Sequence, residues 1–203
     1  SFLSLDGDPR LDQIEQQVAT VRGLAPLRPV PRWAITRYEF STYFVDPILD
    51  EHWGEHLDSL SLALSAFDMK SSCVNLEAFL RYFITNSVAG FYDPTTGAIY
   101  VVSDTGSVSS SLFAHEYGHA LQDQHFDLLA LGYDEFGFTL DGMDGFNAIR
   151  ALVEGDAELI EARYSGQLPG DGVCGRQVSV GAVQTWPVAL SPVNIDSRQD
   201  EPP

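Results

Sequence analysis

The chain has few basic residues. Its 203 residues include 11 lysines and arginines against 29 aspartates and glutamates, which gives a formal net charge of -18 at pH 7. Proteins recognise nucleic acids and anionic membranes through clusters of basic side chains, so this composition argues against both as partners. The charge favours solubility and would attract basic substrates only weakly at physiological salt, so a solvated acidic surface is the simpler explanation.

Long apolar runs are also missing. No stretch reaches the roughly 18 consecutive apolar residues of a membrane-spanning helix, so we expect no integral membrane segment. With 203 residues, 44% of them hydrophobic, the chain can bury the core of one globular domain. It begins at Ser1 rather than methionine, which fits either a trimmed chain or a mature form without its signal peptide.

Cysteine is scarce, with two residues far apart in the chain. Neither Cys73 nor Cys174 belongs to a C-x-x-C motif, which argues against a zinc site built on cysteine. Both lie in loop-like sequence. If the protein is exported, they could form a disulfide that fastens the C-terminal segment to the body, and two free thiols are the alternative.

The strongest motif is H-E-x-x-H, from His115 to His119, within a helical pattern. Two histidines four residues apart lie on one face of a helix, so both imidazoles can bind one zinc ion. Glu116 projects beside that metal, where it can accept a proton from zinc-bound water. The five-residue pattern also occurs by chance, so a functional site needs a third ligand.

Glu154 is the candidate for that third ligand. It lies in a segment whose apolar residues recur with a helical period, next to Gly155. Glycine within a helix costs about 1 kcal/mol relative to alanine, so Gly155 suggests close approach of another element, here the H-E-x-x-H helix. A catalytic zinc ion has three protein ligands and one open position, and His115, His119 and Glu154 would complete that set.

Two further carboxylates are candidates for supporting the site. Glu158 follows Glu154 by four residues on the same helix face, where it could accept a hydrogen bond from a ligand histidine and fix its tautomer. The alternative is a solvated charged face, which Glu154, Glu158 and Glu161 would also form. Asp123, four residues after His119, could stabilise the site in the same way, and a helix-surface aspartate fits equally well.

These motifs together resemble bacterial extracytoplasmic zinc metalloproteases of the gluzincin type. The resemblance implies a zinc ion bound by His115, His119 and Glu154, with Glu116 as catalytic base, in a secreted or cell-envelope protein. In gluzincins an acidic residue four positions after the glutamate ligand orients a zinc histidine; here that residue is Glu158, where aspartate is more usual. The residues that carry the resemblance are 90–94, 99–101, 114–128 and 154–157.

The pattern along the chain predicts an α+β fold: a mostly helical, zincin-like core with a small sheet or hairpin before the active-site helix. We expect an N-terminal helix and linker over residues 1–32, a catalytic core over 33–166, and an irregular C-terminal segment over 167–203 whose last residues are disordered. Helices are predicted to begin at Pro9, Thr36 and Asp46 and to span residues 76–88, 109–129 and 144–164, with a turn at 93–97 and a strand at 98–102.

A second motif competes for the metal. Residues His52 to His56 form H-x-x-E-H, the inverted zinc motif of another protease group. No convincing third ligand accompanies it. Surface histidines on an acidic amphipathic helix are therefore the preferred interpretation.

The predicted reaction is zinc-assisted hydrolysis of a peptide bond in a peptide or protein substrate. Glu116 would accept a proton from water whose pKa zinc lowers to about 7, and would return it to the leaving amine. Tyr133, Arg163 and Tyr164 stay open as oxyanion donors, and the strand at 98–102 is expected to pair with extended substrate. The alternatives are a metal-binding scaffold without turnover and a zinc amide hydrolase that is not a peptidase.

Overall fold

The structure, a computed structural model, describes residues 2–133 and 143–167. Its helices are α1 (Pro9–Arg22), α2 (Arg37–Phe40), α3 (Asp46–Ile48), α4 (Gly54–Ala66), α5 (Leu76–Ser87), α6 (Ser110–Phe126) and α7 (Met143–Tyr164). Its strands are β1 (Leu3–Ser4), β2 (Arg32–Ile35), β3 (Gly90–Asp93) and β4 (Ala98–Val102). The fold is α+β, and the sheet precedes the helix that carries His115 and His119.

Capping residues begin the first helices where the sequence predicts them. Asp8 accepts a hydrogen bond from the Arg10 N–H at the start of α1, and Gly23 ends that helix in the left-handed conformation. Thr36, the predicted start of the second helix, forms a capping box with Glu39 at the beginning of α2. The helix expected to restart at Asp46 is continuous with α2, because π-helical turns at Ser41–Val45 and Leu49–Trp53 connect α2, α3 and α4.

The four strands form one mixed sheet in the order β1-β2-β4-β3. β4 lies inside it, parallel to β2 and antiparallel to β3, and all five of its residues are buried. The expectation that residues 98–102 offer a free edge to substrate is therefore wrong. Arg32–Ile35, a strand that the sequence did not predict, pairs with one side of β4, and β3 pairs with the other side, so β3 and β1 are the edge strands within the described residues.

Hydrophobic cores cover both faces of the sheet, and β4 contributes alternate residues to each. Ile99 and Val101 face the core that contains most of α6 together with residues of α1 and α7. Ala98, Tyr100 and Val102 face the second core, which contains residues of the helices from α2 to α5. The α1 residues packed in the first core are Leu11, Ile14 and Val18.

None of the described helices combines the length and the apolar character needed to cross a membrane. Cys73 is exposed, whereas Cys174 lies outside the described residues, so their pairing stays a prediction. The irregular segment predicted after residue 167 also lies outside them, as do the side chains of His52 and His56.

Arg32 fastens β2 to α1. Its buried guanidinium donates to Asp12 at 2.9 Å and to Glu15 at 3.2 Å, with Asp6 at 3.6 Å on a third side. Burial raises the pKa of Glu15 to about 7, although the charge of Arg32 acts in the opposite direction. Three carboxylates thus share one arginine, and Glu15 ionises near pH 7, above the usual range of a glutamate.

The packing of α6 against α7 depends on Gly118, within the H-E-x-x-H motif. A Cβ at this position would lie 3.1 Å from Cδ1 of Ile160 and 3.8 Å from Cα of Ala157. Gly155 instead has no atom within 4 Å of a Cβ. The expectation that Gly155 marks the close helix contact is therefore wrong, because the glycine that permits close approach lies on α6.

We predict opposite effects of substituting these two glycines. Gly118→Val should lower the free energy of unfolding by about 1–3 kcal/mol, because the added methyl groups must displace Ile160. Gly155→Ala should raise it by about 0.5–1 kcal/mol, because alanine fits there and favours the helix. Denaturant unfolding of the metal-free variants measures both, and destabilisation by Gly155→Ala would contradict the packing described here.

A second prediction concerns pH. Because folding raises the pKa of Glu15 from 4.5 to about 7, its stabilising effect is complete below about pH 4.5 and is lost as the pH rises through 7. Glu15→Gln stays neutral throughout, so its stability relative to the parent should improve by about 1–2 kcal/mol between about pH 5 and 8. Parallel denaturation series at both pH values test this, and an unchanged difference would refute it.

Candidate metal centre

His115 and His119 project from α6 toward Glu154 on α7. The Nε2 atoms of the two histidines are 3.2 Å apart. Oε2 of Glu154 lies 3.5 Å from Nε2 of His115 and 3.6 Å from Nε2 of His119. Both histidines are buried and Glu154 is half-buried, so three ligand atoms form one compact triangle that could hold a metal ion.

The triangle has the dimensions of one face of a metal tetrahedron. Nitrogen and oxygen ligands bound tetrahedrally at about 2.0–2.1 Å lie roughly 3.3–3.4 Å from one another. The observed separations of 3.2, 3.5 and 3.6 Å bracket this value. Two imidazoles and a carboxylate form a donor set found in catalytic zinc sites, and the same donors also bind other first-row divalent metals. The residues therefore define a site for a divalent metal ion without specifying which metal binds.

The charges of the ligands compensate one another. Burial acts to raise the pKa of Glu154, but the neighbouring rings of His115 and His119 outweigh it and hold that pKa well below its usual range. Burial likewise acts to lower the pKa of His115, but its contacts with Glu154 and Glu161 raise it to about 10. Without metal, His115 is thus protonated at neutral pH, and a divalent ion that binds its Nε2 must displace a proton.

Glu116 is a buried carboxylate on the same helix. Burial raises its pKa, and the charge of Glu154 adds to this effect. The two histidines and the backbone N–H of Tyr92 in β3 act in the opposite direction. Glu116 therefore interacts with the metal ligands and also with the edge strand, and its carboxyl keeps a proton to higher pH than that of an exposed glutamate.

Both ligand histidines have partners on their outer nitrogens. Oε1 of Gln122 lies 2.9 Å from Nδ1 of His119, and a carboxylate oxygen of Glu161 lies 3.4 Å from Nδ1 of His115. Glu158, the predicted partner, is half-buried, and it is Glu161 that forms an ion pair with His115. The physical reason is helix rotation: seven residues return to the face of Glu154 within about 20°, whereas four residues deviate by about 40°.

Tyr133 supports the third ligand. Its hydroxyl donates to Oε1 of Glu154 at 3.1 Å, and its buried ring stacks on that of His119 with centroids 6.0 Å apart. Arg150 lies 3.7 Å from the same carboxylate oxygen. Of the predicted oxyanion donors, only Tyr133 meets the ligands, since Tyr164 packs on the first core and Arg163 is exposed.

Asp123 fastens α6 to its surroundings instead of contacting a ligand histidine. Its carboxylate accepts hydrogen bonds from the hydroxyl of Tyr92 at 2.7 Å and from Arg28 at 2.9 Å. It also accepts one from the backbone N–H of Leu128 at 3.2 Å, just after the helix ends. The predicted supporting role of Asp123 is thus indirect in this geometry: it holds β3 against the helix that carries the histidines.

Sequence reasoning missed Gln122, Tyr133 as a ligand partner, and Glu161. Gln122 is three residues after His119, a spacing at which helical side chains meet, so its sequence offered a usable signal. Glu161, seven residues after Glu154, lies on nearly the same helix face, but the sequence pattern indicated it only as part of a solvated charged face. Tyr133 lies beyond the end of α6, and no sequence spacing connects it to Glu154.

No protein-family model, curated protein or solved structure matches this chain. No family is therefore identified. The finding that stands is a site of His115, His119 and Glu154, on two helices, that could hold a metal ion.

We predict that the purified protein binds about one divalent ion per chain. His119→Ala should abolish this binding because it removes one of three ligands, and Glu154→Gln should weaken it. His125→Ala is the matched control, because His125 lies on the same helix but contacts the carbonyl of Ala25 at 2.8 Å. Elemental analysis after dialysis measures the metal content, and an unchanged content in His119→Ala would place the metal elsewhere.

Proposed function

We propose that this chain is a zinc metalloendopeptidase that hydrolyses peptide bonds. Zinc would be bound by His115, His119 and Glu154, with Glu116 as the general base. The observation that carries this proposal is the buried carboxylate of Glu116, whose pKa is raised, beside a triangle of metal ligands. A site that served only to bind metal would gain nothing from a buried carboxylate that coordinates no ion.

The chemistry divides between the metal and the side chains. Bound zinc would supply a water of lowered pKa and would polarise the substrate carbonyl. Glu116 accepts the proton of the attacking water at its carboxylate and returns it to the leaving amine, so its charge is the same before and after the reaction. Tyr133 and Gln122 hold Glu154 and His119 in place and exchange no proton in this scheme.

The outer edge of β3 supports a peptide as substrate. Val102 N–H donates to Ala89 O, and Ile99 N–H donates to Pro31 on the opposite side of β4. Because backbone groups alternate along an antiparallel pair, Tyr92, the partner of Ile99, directs its N–H away from β4. Glu116 interacts with this N–H, so a substrate strand pairing with the other outward backbone groups of β3 would run beside Glu116.

The location and partners belong to the same proposal. We propose a secreted or cell-envelope protein acting on peptides or proteins, on the strength of the motif resemblance. A zinc amide hydrolase with a small substrate would use the same side chains without the strand. Cleavage of small amides but not of peptides would therefore favour that alternative, and metal binding without any turnover would favour a scaffold.

We predict that Glu116→Gln separates catalysis from metal binding. The amide keeps the shape of the side chain but cannot accept the proton, so zinc content and fold should survive. Hydrolysis of casein or a fluorogenic peptide should fall by about 10²–10⁴-fold. Glu77→Gln removes a carboxylate of a surface ion pair on α5 and serves as the control.

The interpretation of this variant depends on two measurements together. Activity within a few-fold of the parent would show that Glu116 is not the base. The parent activity must also be lost on treatment with a chelator and return with added zinc. Activity that persists without metal would remove the basis of the proposed mechanism.

A further inference from the structure

We infer that a chain of hydrogen bonds from His119 through Gln122 and Asp156 to Arg22 positions the metal ligand from the N-terminal helix. The inference rests on the proposed metal site and extends it beyond α6 and α7. It assigns positioning roles to three side chains that neither bind the metal nor enter the proposed reaction. It also makes α1 a structural part of the metal centre.

The first link fixes the tautomer of His119. Oε1 of Gln122 lies 2.9 Å from Nδ1 of His119, and both side chains are buried. An amide oxygen can only accept, so Nδ1 carries the proton and Nε2 keeps its lone pair. That lone pair is on the nitrogen nearest to His115 and Glu154. Gln122 therefore selects the form of His119 that can bind a metal.

The second link fixes the orientation of the Gln122 amide and connects it to α7. Its Nε2 donates to the carbonyl oxygen of Val153 at 2.9 Å and to Oδ2 of Asp156 at 2.8 Å. Both partners are acceptors, so a flipped amide would set oxygen against oxygen. Val153 directly precedes Glu154. The amide thus holds the backbone beside one ligand while it holds the ring of another.

The third link reaches α1. Nε of Arg22, in the last turn of that helix, donates to the same Oδ2 of Asp156 at 2.9 Å. Arg22 neutralises the carboxylate, which is about a quarter exposed, and limits its side chain to the position that meets Gln122. The two bonds to Asp156 are charge-assisted, and hydrogen bonds in a chain strengthen one another. Loss of Arg22 should therefore weaken the hydrogen bond that orients the ring of His119.

Three substitutions test the chain at increasing distance from the metal. Gln122→Met keeps the length of the side chain and removes both links, and it should weaken zinc affinity by about 10–100-fold. Asp156→Asn and Arg22→Gln should weaken it progressively less. Zinc affinity is measured by competition with a chromophoric chelator, and the visible spectrum of the Co²⁺-loaded protein reports ligand geometry independently of any substrate.

Arg10→Gln is the matched control, because it loosens the packing of α1 without removing a member of the proposed chain of hydrogen bonds. Arg10 fastens the opposite end of that helix by donating to the carbonyl of Val108 at 3.0 Å. Its loss should lower the melting temperature without changing zinc affinity or the Co²⁺ spectrum. If Arg10→Gln and Arg22→Gln weakened zinc binding equally, Arg22 would act only through stability and the inference would fail.

The remaining outcomes separate this inference from the proposed function. A parent protein that binds zinc and hydrolyses nothing would refute the proposed function and leave the positioning chain testable by affinity and spectrum. Zinc bound as tightly by Gln122→Met, with circular dichroism confirming its fold, would refute the positioning chain alone. A parent protein that binds neither zinc nor Co²⁺ would overturn both.

Discussion

The constraint on which the rest of the structure depends is the burial of α6. Residues 113–122 are buried without interruption, between the sheet, α1 and α7. A helix buried on all sides can carry ionisable groups only where each has a partner, because an unpaired buried charge is very costly. The two histidines meet Glu154 on α7, and Glu116 meets the Tyr92 N–H on β3. Gly118 keeps α7 close enough for these contacts.

This burial explains how α6 and α7 bring the three ligand atoms together. Breaking a buried pair of charges is strongly destabilising, so His115 and Glu154 hold each other in position. A proton between these groups serves the role that a divalent ion would take over, since each offsets the charge of the half-buried Glu154 carboxylate. The separations of the three ligand atoms match those around a tetrahedral ion.

Local signals predicted much of this arrangement, and tertiary packing decided the rest. The caps at Asp8 and Thr36 and the four-residue spacing of the histidines depend on neighbouring residues, so they could be read from the sequence. The strand character of Arg32–Ile35 depends on pairing with β4, far along the chain, and three prolines before it pointed to a linker. Helical period placed Glu154 on a candidate face of α7 but could not fix its rotation. For that reason the ion pair with His115 comes from Glu161, although Glu158 was the predicted partner, and the close approach predicted at Gly155 occurs at Gly118.

The unpredicted strand has a consequence for the proposed catalytic site. β4 pairs with β2 on one side and with β3 on the other, so β3 is an edge strand of the described sheet. Tyr92 connects this edge strand to α6 through two contacts. Its N–H interacts with Glu116, and its hydroxyl, whose pKa burial and Asp123 raise, donates to Asp123 two turns further along the helix. Two contacts from one residue leave β3 little freedom to slide along α6. If β3 binds the substrate backbone as proposed, Tyr92 would set the distance between the bound peptide and Glu116.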